Sequence, residues 1–406
     1  MTTNACGHDA APAPSRICPH LLADEDLPYV AVLTGHGIEH DLCCEECYPP
    51  AELVTACVEC FEEVTGEFQG MTAWRGEPEV LERPEPVDTT LLRTALPAEL
   101  AGAVDLAPLP EGRWLLLLDT PYRVVAFDPA TGEVGGAVDV DLVAEDDRRT
   151  HWGPPVPRLH TSPDGRFAVV AHDHGVTGAV VDLTTGKTTQ QLGRGDYHSD
   201  TTPYPVAFVL LDGRQVLCHG TGWCSLGFSD PATGTPVVER EPTGRLFNGR
   251  LSVSPSGHRV VSDGWFWTPL GSPTAWDMRD PESGTALCLR AGYWNEGVCW
   301  VGDDLLAVGG IGVDDQAMLD GVRIFDAAGG AEVAVFAGPT AGRYFADAAR
   351  LYVVTGAGVE IWDHATGERT GAVPGFVPTT QREGALAALV DGAVVTWRTT
   401  GGRAVS

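Results

Sequence analysis

The sequence is almost without lysine and is poor in positive charge of any kind. Its single lysine is Lys187, and Lys and Arg together number 26 against 56 Asp and Glu, which gives a net charge of −30 over 406 residues. A surface this acidic repels the phosphates of nucleic acids and the head groups of anionic lipids. The composition therefore argues against a nucleic-acid or membrane partner and favours a protein partner with a basic surface.

Long apolar runs are also missing. No segment approaches the roughly 20 apolar residues that a helix needs to cross a bilayer. The opening segment, MTTNACGHDAAPAPSR, has no apolar stretch after a basic one, so it does not have the pattern of a secretory signal. We therefore expect a cytoplasmic protein.

The common catalytic motifs are absent too. The chain has no Gly-x-Ser-x-Gly nucleophile elbow, no Gly-x-x-x-x-Gly-Lys phosphate loop, no His-Glu-x-x-His and no Gly-x-Gly-x-x-Gly before a helix. The families of hydrolases, nucleotide-binding proteins and zinc proteases that carry these motifs are thus disfavoured.

What the sequence does contain is a repeated Asp-x-x-Thr-Gly type turn with a β-rich segment on each side. Asp caps such a turn through its own side chain, and Gly takes the positive-φ position that closes it. A period of about 35–54 residues with several strands in each period is the signature of a β-propeller. The copies are Val124–Val134, Ala179–Thr189, Gly227–Val237, Ala275–Leu287, Val322–Val333, Val359–Thr370 and, without its Asp, Ala393–Val405.

These repeats resemble those of bacterial WD40-type and quinoprotein-like propellers. Ile361-Trp362-Asp363 matches the Trp-Asp dipeptide of such repeats, and Ser-Pro-Asp-Gly-Arg at 162–166 matches their inner turn. The Gly-His dipeptide of WD40 blades does not recur from repeat to repeat, so the polar network that accompanies it is not expected. The resemblance covers about three quarters of the chain and implies an all-β, seven-bladed β-propeller. The uneven spacing of the turns leaves six or eight blades open.

Charge and composition divide the chain into three parts. Residues 1–88 hold 18 acidic and 3 basic residues, half of the net charge, which indicates a separate module over 1–70. Residues 71–87 are rich in Pro and Glu without a periodic apolar pattern, which is typical of a linker. The propeller then fills 88–406. Its last blade can take its outer strand from Gly402–Val405 or, alternatively, from residues near Thr89–Arg93.

The first module is rich in cysteine. In a reducing compartment, a dense group of Cys and His is typical of metal binding rather than of disulfides. Two Cys-x-x-Cys pairs are present, and each pair can direct two sulfurs at one metal. The apolar stripe that follows Pro49 and Pro50 predicts a helix carrying Cys57 and Cys60 on its inner side. Seven of the eleven cysteines lie here, at Cys6, Cys18, Cys43, Cys44, Cys47, Cys57 and Cys60.

We therefore predict a small zinc-binding module whose zinc is structural. One tetrahedral zinc would take four ligands from Cys18, His20, Cys44, Cys47, Cys57 and Cys60. Adding Cys6 and His8 gives eight donors and a second zinc, but these two residues lie in an Ala/Pro-rich tail. The alternative is a small core of buried free thiols. Four thiolates beside 18 carboxylates would repel one another without a cation, which disfavours that alternative.

Several loops that should share one face of the ring are rich in His and Trp. Trp and Tyr are the usual anchors of protein-binding patches, and the chain shows no activated nucleophile. We therefore predict a non-enzymatic protein-interaction scaffold. The alternative is a metal-dependent, lactonase-like propeller hydrolase with its metal on the His-rich loops. The partner-binding residues predicted on this face are His151, His172, His174, His198, Trp223, Trp265 and Trp294.

Overall fold

The computed structural model of the protein describes residues 5–8, 12–24, 27–33, 40–47, 52–65, 71–74, 79–119, 121–143, 145, 154–238, 247–265, 270–288, 290–291, 297–311, 319–340, 342–382 and 384–399. Within these ranges the regular structure is almost entirely β. A five-stranded sheet comes first, and seven antiparallel sheets follow it along the chain. Of the helices described, none combines the length and apolarity that a membrane crossing requires.

The N-terminal unit is a mixed sheet with two short helices packed on a small core. The strand order is β4-β1-β3-β2-β5, with β1 parallel to β3 and β2 parallel to β5. Ile17, Leu21, Val32 and Leu42 are buried in the core. The elements are β1 (Pro12–Ile17), α1 (Pro19–Ala23), β2 (Tyr29–Leu33), β3 (His40–Cys44), β4 (Val54–Cys57), α2 (Val58–Thr65) and β5 (Met71–Trp74).

Each of the seven following sheets is a meander of four strands, and the fourth sheet carries one further short strand. The first three sheets contain β7 (Ala103–Pro108), β8 (Trp114–Leu118), β9 (Arg123–Phe127) and β10 (Val134–Asp139); β11 (Val156–Thr161), β12 (Phe167–Asp173), β13 (Thr177–Asp182) and β14 (Lys187–Gly193); and β15 (Val206–Leu211), β16 (Arg214–Gly220), β17 (Leu226–Ser229) and β18 (Pro236–Val238).

The fourth, fifth and sixth sheets contain β19 (Leu251–Val253), β20 (Arg259–Trp265), β21 (Leu270–Asp277), β22 (Asp280–Ala286) and β23 (Arg290–Ala291); β24 (Val298–Val301), β25 (Leu305–Ile311), β26 (Leu319–Asp326) and β27 (Glu332–Ala337); and β28 (Arg343–Ala346), β29 (Leu351–Thr355), β30 (Gly358–Asp363) and β31 (Glu368–Pro374). The seventh contains β32 (Thr380–Arg382), β33 (Ala385–Val390), β34 (Ala393–Arg398) and an earlier strand, β6 (Leu91–Ala95).

The repeated turns join the third and fourth strands as their chemistry requires. In the second blade, the amide of Gly186 donates to the carbonyl oxygen of Asp182 at 2.8 Å, and Gly186 has a φ of 67°. The carboxylate of Asp182 accepts the amides of Thr184 and Thr185. The first, third, fifth and sixth blades repeat the Gly-to-Asp bond at the same length. The fourth blade turns more tightly, since Asp277 pairs with Asp280.

The sheets are arranged as the blades of a propeller around a ring of first strands. Asp105 on β7 accepts the backbone amide of Leu159 on β11 at 2.9 Å, which joins the first two blades. Gln381 on β32 donates to the carbonyl oxygen of Ala346 on β28 at 2.7 Å, which joins the last two. The seven sheets agree with the expectation of a seven-bladed, all-β propeller.

Large aromatic side chains fill the space between adjacent blades. Trp362 of the sixth blade stacks on Phe336 of the fifth, with ring centroids 5.9 Å apart. Trp397 of the seventh blade meets Tyr352 of the sixth edge-on at 5.7 Å. All four rings are buried. The tryptophan of the Trp-Asp dipeptide is therefore a packing residue between blades.

The ring closes through an N-terminal strand. β6 pairs antiparallel with β34, so that Leu91–Ala95 supplies the outer strand of the last blade. Of the two sequence-based possibilities, the structure shows the one near Thr89–Arg93. Gly402–Val405 lies outside the described residues.

The expected linker differs from the observed segment in two ways. Met71–Trp74 is β5 of the N-terminal unit, so that unit extends past residue 70. Residues 79–88, which we call the strap, lie along the outer strand of the sixth blade. There the amide of Arg83 donates to the carbonyl oxygen of Arg369, and the amide of Arg369 donates to the carbonyl oxygen of Leu81. The strap is thus held by backbone pairing.

Candidate functional sites

Cys18, His20, Cys44 and Cys47 form one compact group, which we call the Cys18 cluster. Cys18 lies between β1 and α1, His20 is in α1, Cys44 ends β3, and Cys47 follows in a one-turn helix over Glu45–Cys47. Because β1 and β3 are adjacent, with Ile17 opposite Leu42, their ends bring Cys18 and Cys44 together. One ligand atom from each of the four residues lies within 4.8 Å of all the others.

Contacts within the Cys18 cluster show donors converging on one point. His20 Nδ1 is 3.2 Å from Cys47 Sγ and 3.7 Å from Cys44 Sγ, and the Cys44 amide donates to Cys18 Sγ at 3.3 Å. The hydrogen bond with Cys44, together with burial, raises the pKa of Cys47 to about 12. Burial acts to raise the pKa of Cys44, but hydrogen bonds from His20 and Cys47 lower it. A divalent cation at this point would favour the thiolate of every cysteine.

Cys6, His8, Cys57 and Cys60 form a second group, the Cys6 cluster. Cys57 ends β4, and Cys60 lies in the first turn of α2. The segment that precedes β1 is brought alongside β4, where the Ala5 amide donates to the Thr55 carbonyl oxygen at 2.9 Å. His8 Nδ1 is then 3.2 Å from Cys60 Sγ and 3.6 Å from Cys57 Sγ. The four ligand atoms again lie within 4.8 Å of one another.

In the Cys6 cluster, too, the pKa values of neighbouring cysteines shift in opposite directions. A backbone hydrogen bond from His8 lowers the pKa of Cys6 to about 7. Burial, followed by hydrogen bonds to Cys57 and Cys6, raises the pKa of Cys60 to about 12. Thiolates that lie this close together repel one another, and a bound cation would compensate their charge. Both clusters have the Cys3His composition of structural zinc sites and can hold a metal ion.

The grouping differs from the expectation in three respects. The six predicted ligands divide between two clusters, and Cys6 and His8 complete the second. Cys57 and Cys60 lie across a strand–helix junction, because β4 occupies Val54–Cys57 and the helix begins only at Val58. Cys43 is in neither cluster: its thiol donates to the Val30 carbonyl oxygen, and burial raises its pKa to about 11.

On the propeller, five aromatic rings converge between the third and fourth blades and form what we call the aromatic patch. It consists of Tyr197, His198, Trp223, Phe247 and Trp265. Phe247 stacks on Trp265 at 4.0 Å and on Tyr197 at 5.7 Å, while Trp223 lies 4.8 Å from Phe247 at a tilt of 49°. Phe247 and Trp265 are 7% and 3% exposed, whereas Tyr197 and Trp223 are 52% and 51% exposed. Two exposed rings thus rest on two buried ones.

The strand order explains why these rings meet. Tyr197 and His198 lie between β14 and β15, Trp223 between β16 and β17, and Trp265 ends β20. Connections between blades and those between second and third strands emerge on the same side of a meander propeller. Three of the predicted partner-binding residues, His198, Trp223 and Trp265, therefore lie together. Phe247 was not among the predicted residues, because its neighbours in the patch are distant in sequence.

His172 lies apart from the patch, in a buried polar group. Its Nδ1 is 3.0 Å from the Thr177 hydroxyl, and its Nε2 is 3.0 Å from the Tyr122 hydroxyl. Glu145 lies 3.9 Å away and accepts the amides of Val176 and Thr177. Burial lowers the pKa of His172. Both ring nitrogens have neutral partners, so His172 is held as a structural imidazole.

The other residues predicted to bind a partner are His174, His151 and Trp294. His174 adopts a φ of 63°, and its Nδ1 lies 3.0 Å from the Asp200 carbonyl oxygen. His151 and Trp294 lie outside the described residues. In the described part of the propeller, no three His, Cys, Asp or Glu side chains are placed to share a metal ion.

Comparison with known proteins identifies the fold. No protein-family model matches the chain, and no curated protein sequence matches it. Among solved structures, hydrazine synthase from Kuenenia stuttgartiensis is similar with a TM-score of 0.50 at 16% identity, covering 76% of this chain and 98% of that one. A catalytically inactive virginiamycin B lyase from Staphylococcus aureus with quinupristin gives a TM-score of 0.50 at 10% identity with the same two coverages. At these identities, the likeness shows the propeller fold alone.

Proposed function

We propose that the protein is a non-enzymatic interaction scaffold, whose propeller binds a protein partner through the aromatic patch. The observation that carries this proposal is the exposure of Tyr197 and Trp223 on the buried pair Phe247 and Trp265. A buried base holds the exposed rings in place, so binding costs little side-chain entropy. Exposed Trp and Tyr on such a base are typical of binding hot spots.

The chemistry of the partner follows from charge. The chain carries 56 acidic and 26 basic residues, and the described loops around the patch contribute Asp196 and Asp200. Aromatic faces attract Arg and Lys through cation–π interactions, and nearby carboxylates strengthen this preference. The proposed partner therefore presents a basic protein segment, with an Arg or Lys side chain against the rings.

The N-terminal unit is proposed to hold two structural zinc ions. Cys18, His20, Cys44 and Cys47 would bind one ion, and Cys6, His8, Cys57 and Cys60 the other. Four protein ligands complete a tetrahedron and leave no position for a reacting water, which distinguishes a structural site from a catalytic one. The core of this unit is small, so metal binding would supply much of its folding free energy.

The hydrolase alternative has less support. It needs His172, His174 or His198 to share a metal, but the nitrogens of His172 contact Tyr122 and Thr177. The ring of His198 packs against Phe247 and Trp265 with centroids at 6.1 and 5.8 Å. These contacts favour a structural role for His172 and place His198 in the aromatic patch instead of a metal site.

The scaffold proposal is tested by affinity capture from the native host with three full-length baits. Wild type, Trp223→Ala and Val333→Ala are compared, because Val333 is an equally exposed apolar residue on β27. We expect a basic protein that wild type and Val333→Ala retain and that Trp223→Ala loses. Retention of every captured protein by Trp223→Ala would refute the role of the patch.

A further inference from the structure

We propose that the central channel of the propeller contains a binding site for a small oxyanion, formed by Arg158, Arg250 and Arg343 with His160. This site is separate from the aromatic patch and from both cysteine clusters. Its ligand chemistry is a phosphate or a carboxylate group. The inference rests on convergence of positive charge in a chain that is otherwise strongly acidic.

The three arginines come from alternate blades. Arg158 is on β11 of the second blade, Arg250 directly precedes β19 of the fourth, and Arg343 begins β28 of the sixth. These are first strands, which line the centre of the ring. Side chains from blades two, four and six can face one another only across the channel. Burial, and then the proximity of Arg250 and Arg158, lowers the pKa of Arg343 to about 10.

Local carboxylates compensate only part of this charge. Arg158 lies 3.8 Å from Asp105 and 3.5 Å from Asp173. Burial raises the pKa of Asp105, while Arg158 and the Leu159 amide act to lower it. Within the described ranges, Arg250 and Arg343 have no carboxylate at ion-pair distance; Arg343 donates to the Thr379 carbonyl oxygen at 2.6 Å. Asp105 and Asp173 act on Arg343 only at longer range, so the three guanidinium groups exceed the two described carboxylates around them by one positive charge.

His160 supplies an independent indication of a ligand. It lies on β11 two residues after Arg158, and its Nε2 atom is shielded from solvent without a hydrogen-bond partner in the described part of the chain. Burial lowers the pKa of His160, so the ring is neutral at pH 7 and can donate one N–H. Buried polar atoms without partners are rare and indicate an unseen water or ion. An oxyanion would accept from this ring and from both arginines.

The test is calorimetric titration of the full-length protein at low salt, with inorganic phosphate and malonate as separate probes. We expect saturable 1:1 binding of at least one probe. Arg250→Gln and Arg343→Gln should each weaken it by tenfold or more, since each removes a charge-assisted hydrogen bond. Arg214→Gln is the matched control, because Arg214 is exposed and pairs with Asp230 away from the channel.

The two probes also distinguish the source of the ligand. Preference for phosphate assigns a phosphoryl group, and preference for malonate assigns a carboxylate. Thermal melting gives a second readout: the preferred probe should raise the Tm of wild type and Arg214→Gln but not that of Arg250→Gln. Arg250→Gln alone should melt no lower than wild type, because it removes a repulsive charge. Absence of saturable binding by both probes, or equal binding by all variants, would overturn the proposal.

Discussion

The indole Nε1 of Trp397 donates a 2.6 Å hydrogen bond to the backbone carbonyl oxygen of Asp88. This bond joins the last described strand of the propeller to the residues that lead into β6. Trp397 is also opposite Leu91 in the β34–β6 ladder. Two segments at opposite ends of the propeller chain therefore close the ring, and the strap enters β6 directly from the sixth blade.

Removing the strap should lower the stability of the propeller without opening it. A chain of residues 79–406 keeps the strap and β6, whereas a chain of residues 88–406 keeps β6 alone. The strap contributes partly exposed ion pairs such as Arg83–Glu368 and Arg350–Glu85. Solvent-exposed ion pairs of this kind contribute little individually, so the strap adds a modest increment of stability. We expect both chains to be soluble and to melt cooperatively, with 88–406 lower by about 2–5 °C in calorimetry.

A chain of residues 96–406 is the control for ring closure. It lacks β6 and leaves the edge of β34 unpaired, which favours aggregation and loss of cooperative melting. If 96–406 melted like 88–406, β6 would not be the closing strand. If 88–406 were insoluble, the strap would be essential to the fold.

The stabilisation that Asp182 gives to the turn of the second blade should decrease at low pH. Asp182 is buried, accepts from Thr184 and pairs with Arg166 at 3.0 Å. Burial acts to raise its pKa, but these partners outweigh burial and lower it to about 2. The stabilisation is present above the unfolded-state pKa near 4 and is lost as the pH falls towards 2.

We therefore expect Asp182→Asn to lower the free energy of unfolding by about 1–2 kcal/mol at pH 7, as measured by urea denaturation. The difference from wild type should shrink progressively below about pH 4. Asp128→Asn is the control, since Asp128 occupies the same turn position in the first blade and is more exposed. A pH-independent effect of Asp182→Asn would exclude its charge as the cause.

Stability measurements should separate the two layers of the aromatic patch. Trp265 is buried against Phe247, so Trp265→Ala leaves a cavity and should cost about 3–5 kcal/mol. Trp223 is half exposed, and Trp223→Ala should change the free energy of unfolding by less than about 1 kcal/mol. A large loss for Trp223→Ala would mean that this ring supports the fold instead of presenting a surface.

The propeller should not hydrolyse esters or lactones. A substrate panel assayed with added Ca²⁺, Mn²⁺ or Zn²⁺ should show no turnover above background, since His172 is held by Tyr122 and Thr177. Metal-dependent turnover that His172→Ala or His198→Ala abolishes would replace the scaffold proposal with the hydrolase alternative.

The architecture can be predicted from the sequence because its signal is local. Asp182 and Gly186 stand within one turn, and the hydrogen bond between these two positions recurs in five of the seven blades. The closing strand cannot be chosen this way, since the partner of Leu91–Ala95 is about 300 residues away. The strap cannot be recognised from the sequence either. It has the Pro- and Glu-rich composition of a linker, but its Arg and Glu side chains pair with Arg350, Asp363 and Glu368.

In the candidate sites, too, some features can be recognised from local sequence and others arise only from contacts between distant segments. The pairs Cys44–Cys47 and Cys57–Cys60 are visible as spacings, but their separation into two clusters depends on β1 lying between β3 and β4. The contribution of His8 to the second cluster depends on the same pairing. Phe247 and the three channel arginines have no local signal, because each acquires its neighbours only when blades meet around the ring.

Zinc content tests the central claim most directly. The claim is that the metal sites belong to the N-terminal unit and that the propeller is a metal-free scaffold. Full-length wild type, Cys44→Ser, Cys60→Ser and the double variant are to be compared by elemental analysis and limited proteolysis. We predict two zinc ions per chain in wild type, at most one in each single variant and none in the double variant.

Loss of zinc should make residues 18–66 sensitive to protease and leave the propeller resistant, since metal binding supplies folding free energy only to the small unit. Stoichiometric zinc and unchanged protease resistance in either single variant would exclude that cysteine as a ligand. Zinc retained by the double variant would place metal on the propeller and contradict the account.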